Sequence, residues 1–238
     1  MTPGLFAIFD QVRIINLRDR PDRRREMEEH LAHIGALAAN VRFFDAQRPA
    51  DQGEFPSLGA RGCFESHLSV LKAARDNAAK SLLILEDDLD LSTEGQRRAG
   101  EILGRLARES WDVFYGAHVL PGKGRRGLLP IAPDEPVITA SFVAFSGRVI
   151  SPLVDFLEAM LLRPAGSAEY GPMHVDGAYT VFRMLHPQYR TLAVFPSLGH
   201  QRSSRSDITP SNMILDRWAF TRPLAGMLRR LYNTMTAG

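Results

Sequence analysis

The sequence predicts an α/β fold with a largely parallel sheet. Two observations carry that expectation. Short apolar runs of strand length recur along the first half of the chain, and between them lie longer stretches whose apolar residues recur at helical spacing. A third observation excludes rivals: there is no internal repeat and no low-complexity tract.

Residues 12–17 (VRIINL) form the first predicted strand. In residues 20–35, Pro21 suits a first helical turn, Met27, Leu31 and Ile34 recur at helical spacing, and Gly35 suits the end. VRFFDA (41–46) is a second strand. Residues 62–79 place Phe64, Leu68 and Leu71 on one helical face, with Ser66 and His67 at the helix entrance. SLLIL (81–85) is a strand, residues 94–110 an amphipathic helix, and WDVFYGA (111–117) a strand. Residues 118–136 are rich in Gly and Pro and are expected to be a long loop. A strand follows at 137–146, then a helix at 148–162 interrupted early by Pro152, a helix at 174–186, a strand at 189–196 and a polar loop at 199–212. The tail from 213 to 235 has a helical pattern broken near Pro223. One domain over residues 1–238 is expected, with a nucleotide-type half to about residue 116 and a more irregular half from 117 to 238.

Composition narrows the function classes. With 238 residues, 45% hydrophobic and 24% charged, the chain matches an ordinary globular protein. No apolar run reaches the length of a membrane-spanning helix, and the first residues lack the pattern of a secretory signal, so a cytoplasmic location is expected. The single cysteine, Cys63, excludes an internal disulfide framework and a zinc cluster built of thiolates. Net charge is only +2, yet basic residues cluster at 18–25, 122–127, 201–205 and 222–230. Acids separate these clusters and no aromatics interleave, so no nucleic-acid partner is expected. An anionic small substrate or an anionic membrane surface fits the clusters at least as well.

The stretch SLLILEDDLDL (81–91) sets Glu86, Asp87, Asp88 and Asp90 directly against an apolar strand. Ligands of parallel sheets collect at the carboxyl ends of strands. Alternation along an extended chain points Glu86 and Asp88 the same way, with Asp87 away from them. Two carboxylates on one side repel unless a cation or protons neutralise them, and Mg²⁺ or Mn²⁺ takes such oxygen ligands together with substrate phosphates. Two readings stand: a metal–diphosphate site, and a solvated turn in which Asp87, Asp88 or Asp90 caps the next helix. A phosphoacceptor receiver domain also carries an acidic pair after a strand. It needs an Asp at the end of a later strand, where WDVFYGA instead has Tyr115.

Three stretches in order add to this run. Ile15-Asn16-Leu17 is followed by Arg18 and by Asp22-Arg23; Gly62-Cys63 is followed by Ser66-His67; Leu85-Glu86-Asp87-Asp88 closes the series. Together they resemble glycosyltransferase family 25, lipopolysaccharide glycosyltransferases related to the collagen galactosyltransferase domain. Arg18-Asp19 reverses the family's usual acid-then-base order after INL. The resemblance implies a GT-A-like fold and an inverting, metal-dependent hexosyltransferase using a UDP-sugar, with galactose or glucose as the sugar. The acceptor implied is a surface glycan, lipid-linked or part of lipopolysaccharide, reached from the cytoplasmic face. It implies Asn16, Leu17, Arg18, Arg23, Ser66, His67 and Glu86 in donor binding, Arg202 and Arg205 as a diphosphate clamp, and Glu86, Asp88 and His200 around Mn²⁺ or Mg²⁺. Asp176 is the candidate general base for the acceptor hydroxyl, and equally a candidate helix cap. A non-catalytic nucleotide- or carbohydrate-binding relative of the same fold is the alternative. The tail from Trp218 to Tyr232, with Arg217, Arg222, Arg229 and Arg230, suits packing on the protein's own core, with peripheral contact to an anionic membrane second.

Overall fold

The computed structural model describes residues 4–202 except 121 and 123. Arg205 and the C-terminal tail therefore lie outside the described residues. In chain order the elements are β1 (Gln11–Asn16), α1 (Pro21–His33), β2 (Val41–Asp45), α2 (Leu58–Asp76), β3 (Ser81–Glu86), β4 (Leu89–Leu91) and α3 (Thr93–Leu106). They continue with β5 (Val113–Val119), β6 (Gly127–Pro130), β7 (Ile138–Ser146), α4 (Gly147–Leu161), α5 (Val175–Leu185), β8 (Thr191–Phe195) and β9 (Gly199–Gln201).

Seven strands make one sheet in the order β2-β1-β3-β7-β5-β8-β6, and β4 and β9 make a separate two-stranded ribbon. β1 pairs in parallel with β2 and β3, and β5 in parallel with β8; β7 runs antiparallel to both β3 and β5, and β6 antiparallel to β8. β2, β1, β3, β5 and β8 thus point one way, and the predicted α/β class with a mostly parallel sheet and flanking helices holds. The two halves read from the sequence are interleaved in this sheet, because β7 from the second half is inserted between β3 and β5 of the first.

The strands β3 and β7 are covered on both faces, which is why they read as continuous apolar runs rather than as alternating ones. One face carries Leu82, Ile84, Val143 and Phe145 against Phe64, Leu68 and Leu71 of α2, with α4 and α5 alongside. The other carries Ile14, Leu83, Leu85 and Phe142 against Met27 and Leu31 of α1 and Ile102, Leu103 and Leu106 of α3. Burying each such side chain contributes about 1.5–3 kcal/mol.

Five expectations need correction. α2 starts at Leu58, capped by the Ser57 side chain, so Ser66 and His67 lie in its interior and not at its entrance. Gly62 is needed there, since a Cβ would come within 3.0 Å of the Gln47 carbonyl. α4 runs unbroken through Pro152. The expected loop at 118–136 contains β6, and the expected polar loop after 199 begins with β9. Finally, the acids of 86–90 do not cap α3: its cap is Ser92, whose hydroxyl accepts from the Gly95 N–H at 3.0 Å, and β4 intervenes.

The ribbon matters because it fixes the chain beyond the acids. A Cβ on Gly95 would sit 1.7 Å from the Leu198 carbonyl oxygen, and one on Gly199 would sit 2.4 Å from the Asp90 carbonyl oxygen. Only glycine permits both approaches. They press the 198–202 segment onto the start of α3 and onto β4, and so carry Gln201 and Arg202 to the end of β3.

Candidate active site

β3 ends with its acids divided between the two faces of the sheet. Ile15 is in register with Glu86, and the Asp87 N–H donates to the Ile15 carbonyl at 3.1 Å. Strand alternation then sends Glu86 to the α2 face, with Leu82 and Ile84, and Asp87 to the α1 face, with Leu83 and Leu85.

On the α2 face, Glu86 ends a chain of polar groups. Its Oε1 lies 3.3 Å from His67 Nε2 and 3.6 Å from Cys63 Sγ. Its Oε2 accepts from Gln201 Nε2 at 2.7 Å. His67 is completely buried, and its Nδ1 lies 2.9 Å from Tyr179 Oη of α5. The tautomer with Nε2–H donating to Glu86 and Nδ1 accepting from the Tyr179 hydroxyl satisfies both contacts. Burial pushes the Glu86 carboxyl up, but donation from His67, Gln201 and Cys63 more than offsets this and leaves it below the ordinary carboxylate range. Its side chain is 17% exposed, so it still reaches the surface.

On the α1 face, buried Asp87 is a fastener. Asn16 Nδ2 donates to its Oδ2 at 2.6 Å and Arg23 Nη1 to its Oδ1 at 3.3 Å. Burial raises its carboxyl, and Asn16 and Arg23 hold it back. Arg202 closes the turn from the ribbon side: its N–H donates to the Asp88 carbonyl and its Nη2 to the Asp87 carbonyl, both at 2.7 Å, and its Nη1 pairs with Glu26 at 2.7 Å.

Asp88 is the acid left over. Its Oδ1 is buried with no hydrogen-bond partner among the described residues. Burial first, then the charges of Glu86 and Asp87, raise its carboxyl to about 7. At an effective dielectric of about 20, like charges some 5 Å apart repel by roughly 3 kcal/mol. A buried carboxylate oxygen without a donor among the described residues, beside excess negative charge, is chemically suited to Mg²⁺ or Mn²⁺. Of the three acids Asp88 is the one that could hold such a cation, because Glu86 and Asp87 are already engaged.

Of the other sequence-read residues, Asn16 and Ser66 are buried and face inward. Asn16 also donates to the Arg20 carbonyl at 3.3 Å, while Ser66 donates to the Gly62 carbonyl at 2.6 Å and accepts from the Gln47 N–H at 2.7 Å. Leu17 is half-buried and Arg18 exposed at the start of the turn after β1. His200 is exposed on β9 opposite Asp90, and its neighbour Gln201 is the one that reaches Glu86. Asp176 is not the cap of α5; His174 occupies that position. Buried in the first turn, Asp176 accepts from the Thr139 N–H at 3.1 Å through Oδ2 and from the Gly177 N–H at 2.8 Å through Oδ1. Thr139 has φ of 76°, a left-handed conformation that costs a β-branched residue energy. It lies in β7, which with β5 carries a register shift between Ala117↔Phe142 and Val119↔Ile138.

Sequence reasoning gave Tyr179, Gln201 and Glu26 no role, and it gave Cys63 no chemical role beyond its place in a motif. Tyr179 follows Asp176 at a helical spacing that reads as core, and nothing local to Gln201 sets it above His200.

No protein-family model matches this sequence. Among curated proteins, the chain is 26% identical over 149 residues to procollagen galactosyltransferase 1-B of Xenopus laevis, covering 54% of this chain and 23% of that protein. It is 27% identical to a glycosyltransferase 25 family member of Drosophila melanogaster (44% and 20% covered) and 28% identical to the human inactive glycosyltransferase 25 family member 3 (45% and 21%). The matches thus span under a quarter of each relative's length. Among solved structures, a glycosyltransferase involved in glycosylation of the major capsid of PBCV-1 aligns with a TM-score of 0.47 at 12% identity, over 82% of this chain and 94% of that one. CMP:2-keto-3-deoxy-manno-octonic acid synthetase aligns with a TM-score of 0.43 at 9% identity, over 90% and 98%. The resemblance read in the first hundred residues is matched by the curated relatives, which are procollagen galactosyltransferases and glycosyltransferase 25 family members.

Proposed function

We propose that this chain is a metal-dependent, inverting glycosyltransferase that moves a hexose, galactose or glucose, from a UDP-sugar to a surface glycan such as lipopolysaccharide. The observation that carries the reading is Asp88: a carboxylate at the carboxyl end of a parallel strand, with a buried oxygen lacking a partner among the described residues and a pKa raised by burial first and then by two neighbouring acids. When bound there, Mn²⁺ or Mg²⁺ supplies Lewis-acid stabilisation of the departing diphosphate.

The chain's own residues do the rest. Asp88 is the direct ligand, and His200 is kept as the third, standing exposed two residues from Arg202, whose N–H holds the Asp88 carbonyl. Glu86, oriented by His67 and Gln201, holds the ribose or a water on the cation. Arg18, Arg23, Arg202 and, beyond the described residues, Arg205 supply positive charge for the diphosphate. Asn16, Leu17 and Ser66 shape the donor pocket through the backbone they fasten. Asp176 takes the proton of the acceptor hydroxyl, its two oxygens aimed by the Thr139 and Gly177 N–H groups.

No helix among the described residues is long and apolar enough to cross a membrane. A lipid-linked acceptor would be met at the cytoplasmic face, with peripheral contact by the C-terminal tail, outside the described residues, as the secondary reading of that segment. One relative favours a second reading, a non-catalytic binding protein of the same fold: the human protein at 28% identity is named inactive. A screen of UDP-sugars for donor hydrolysis, with and without Mn²⁺, separates the two. Metal-dependent release of UDP from at least one hexose donor is expected; binding of UDP-sugars without any turnover would favour the second reading.

A further inference from the structure

We propose that Cys63, His67 and Glu86 form a second metal site, built for a borderline-soft cation such as Zn²⁺ and separate in its chemistry from the oxygen ligand Asp88. Cys63 and His67 stand one turn apart on the same face of α2, and Glu86 reaches them from the end of β3. The three donor atoms lie within 4.8 Å of one another. The geometry goes further than proximity. Zinc bonds of about 2.3 Å to sulfur and about 2.0 Å to nitrogen and oxygen give a tetrahedron whose S–O edge is about 3.5 Å and whose N–O edge is about 3.3 Å. Cys63 Sγ lies 3.6 Å and His67 Nε2 3.3 Å from Glu86 Oε1. Two edges of the polyhedron are therefore already set.

The surrounding groups suit a metal ligand. A ligating histidine nearly always has its second ring nitrogen paired, and a ligating carboxylate its second oxygen hydrogen-bonded. Here Tyr179 Oη meets His67 Nδ1 at 2.9 Å and Gln201 Nε2 holds Glu86 Oε2 at 2.7 Å. Three protein ligands leave the fourth position to water or an added ligand. Cys63 is half-buried, so its thiol is not sealed in the core. On binding, the metal–sulfur bond replaces the S–H bond of Cys63, whose proton passes to solvent. His67 ligates through Nε2 with its proton on Nδ1, donated to Tyr179. Thiolate and imidazole select Zn²⁺ and Co²⁺ over Mg²⁺ and Mn²⁺. The site does not depend on the transferase reading. If that reading holds, a dication drawn onto Glu86 would oppose the cation at Asp88, and zinc would inhibit.

Co²⁺ titrated into the full chain under reducing conditions tests the site without any assay of turnover. One equivalent of Co²⁺ should give the strong visible bands of a tetrahedral ion and a near-ultraviolet thiolate-to-cobalt band, both removed by Zn²⁺. Cys63→Ser, folded by circular dichroism, should lose the near-ultraviolet band, and Asp88→Asn should keep the whole spectrum. His67→Gln should weaken binding at least tenfold where it folds; the Cys63 variant decides the matter where it does not. A weak octahedral spectrum in the wild type, or visible bands unchanged by Cys63→Ser, would overturn the proposal.

Discussion

Asp88→Asn is expected to lower transfer at least a hundredfold and, at pH 8, to make the protein more stable. The first effect follows from loss of the carboxylate with the orphaned buried oxygen, the only acid of the turn not engaged by donors among the described residues. Removing one electrostatic stabiliser of developing charge typically costs two to three orders of magnitude. The second effect follows from linkage. The folded-state pKa of Asp88 is raised from 3.8 to about 7, so folding favours its protonated form. That contribution is fully present below about pH 4 and is lost as pH rises through 7. At pH 8 the wild type holds a charged carboxylate beside Glu86 and Asp87, and Asn removes the charge at nearly constant size. A shift of this size has an upper bound of about 4 kcal/mol; discounted for partial exposure it comes to about 2 kcal/mol, or roughly 4–8 °C in Tm for a chain of this length. Thermal melts at pH 4 and pH 8 check it: the variant should melt near the wild type at pH 4 and above it at pH 8. Mn²⁺ should raise the wild-type Tm at pH 8 and leave the variant's unchanged. Equal melting of the two proteins at pH 8 would mean that Asp88 carries no such strain.

Asp176→Asn is expected to reduce kcat by about 10²–10⁴-fold with little change in KM for the donor. The substitution separates chemistry from architecture. Asp176 accepts from two backbone N–H groups, and an Asn carbonyl can still accept from one of them. The lost bond costs about 1–2 kcal/mol, which leaves the variant folded. Asp176→Ala loses both bonds, including the one that holds Thr139 at its φ of 76°, and should melt lower than the Asn variant. A base predicts equal loss of turnover in the two variants despite their unequal stability. Turnover that tracks melting temperature instead would make Asp176 a strut for Thr139.

What could be read in the sequence divides along physical lines. β3, β5 and β7 were legible because each is buried on both faces and reads as a largely apolar run, and β1 because its Val12, Ile14 and Ile15 are buried. β4, β6 and β9 were not, because each is only three or four residues long and its partner lies far off in sequence. The end of β3 pointed correctly to a crowded acidic turn. The sequence did not distribute the three acids among their partners, since those partners arrive by tertiary packing: Arg23 from α1, His67 from α2 and Gln201 from the ribbon. Gln201, which received no role from the sequence, shows the limit well. In a two-stranded ribbon adjacent residues face opposite sides, and one step in register decides which meets Glu86. That register is set by Gly95 and Gly199, whose close approaches are visible only once the fold is known.

The most direct measurement is calorimetric titration of the full chain with UDP at pH 7.5, with and without Mn²⁺, for the wild type and Asp88→Asn. The expected result is UDP binding that requires Mn²⁺ in the wild type and is lost in the variant. UDP binding of equal strength with and without Mn²⁺, or undiminished by Asp88→Asn, would contradict a donor cation held at the acidic turn.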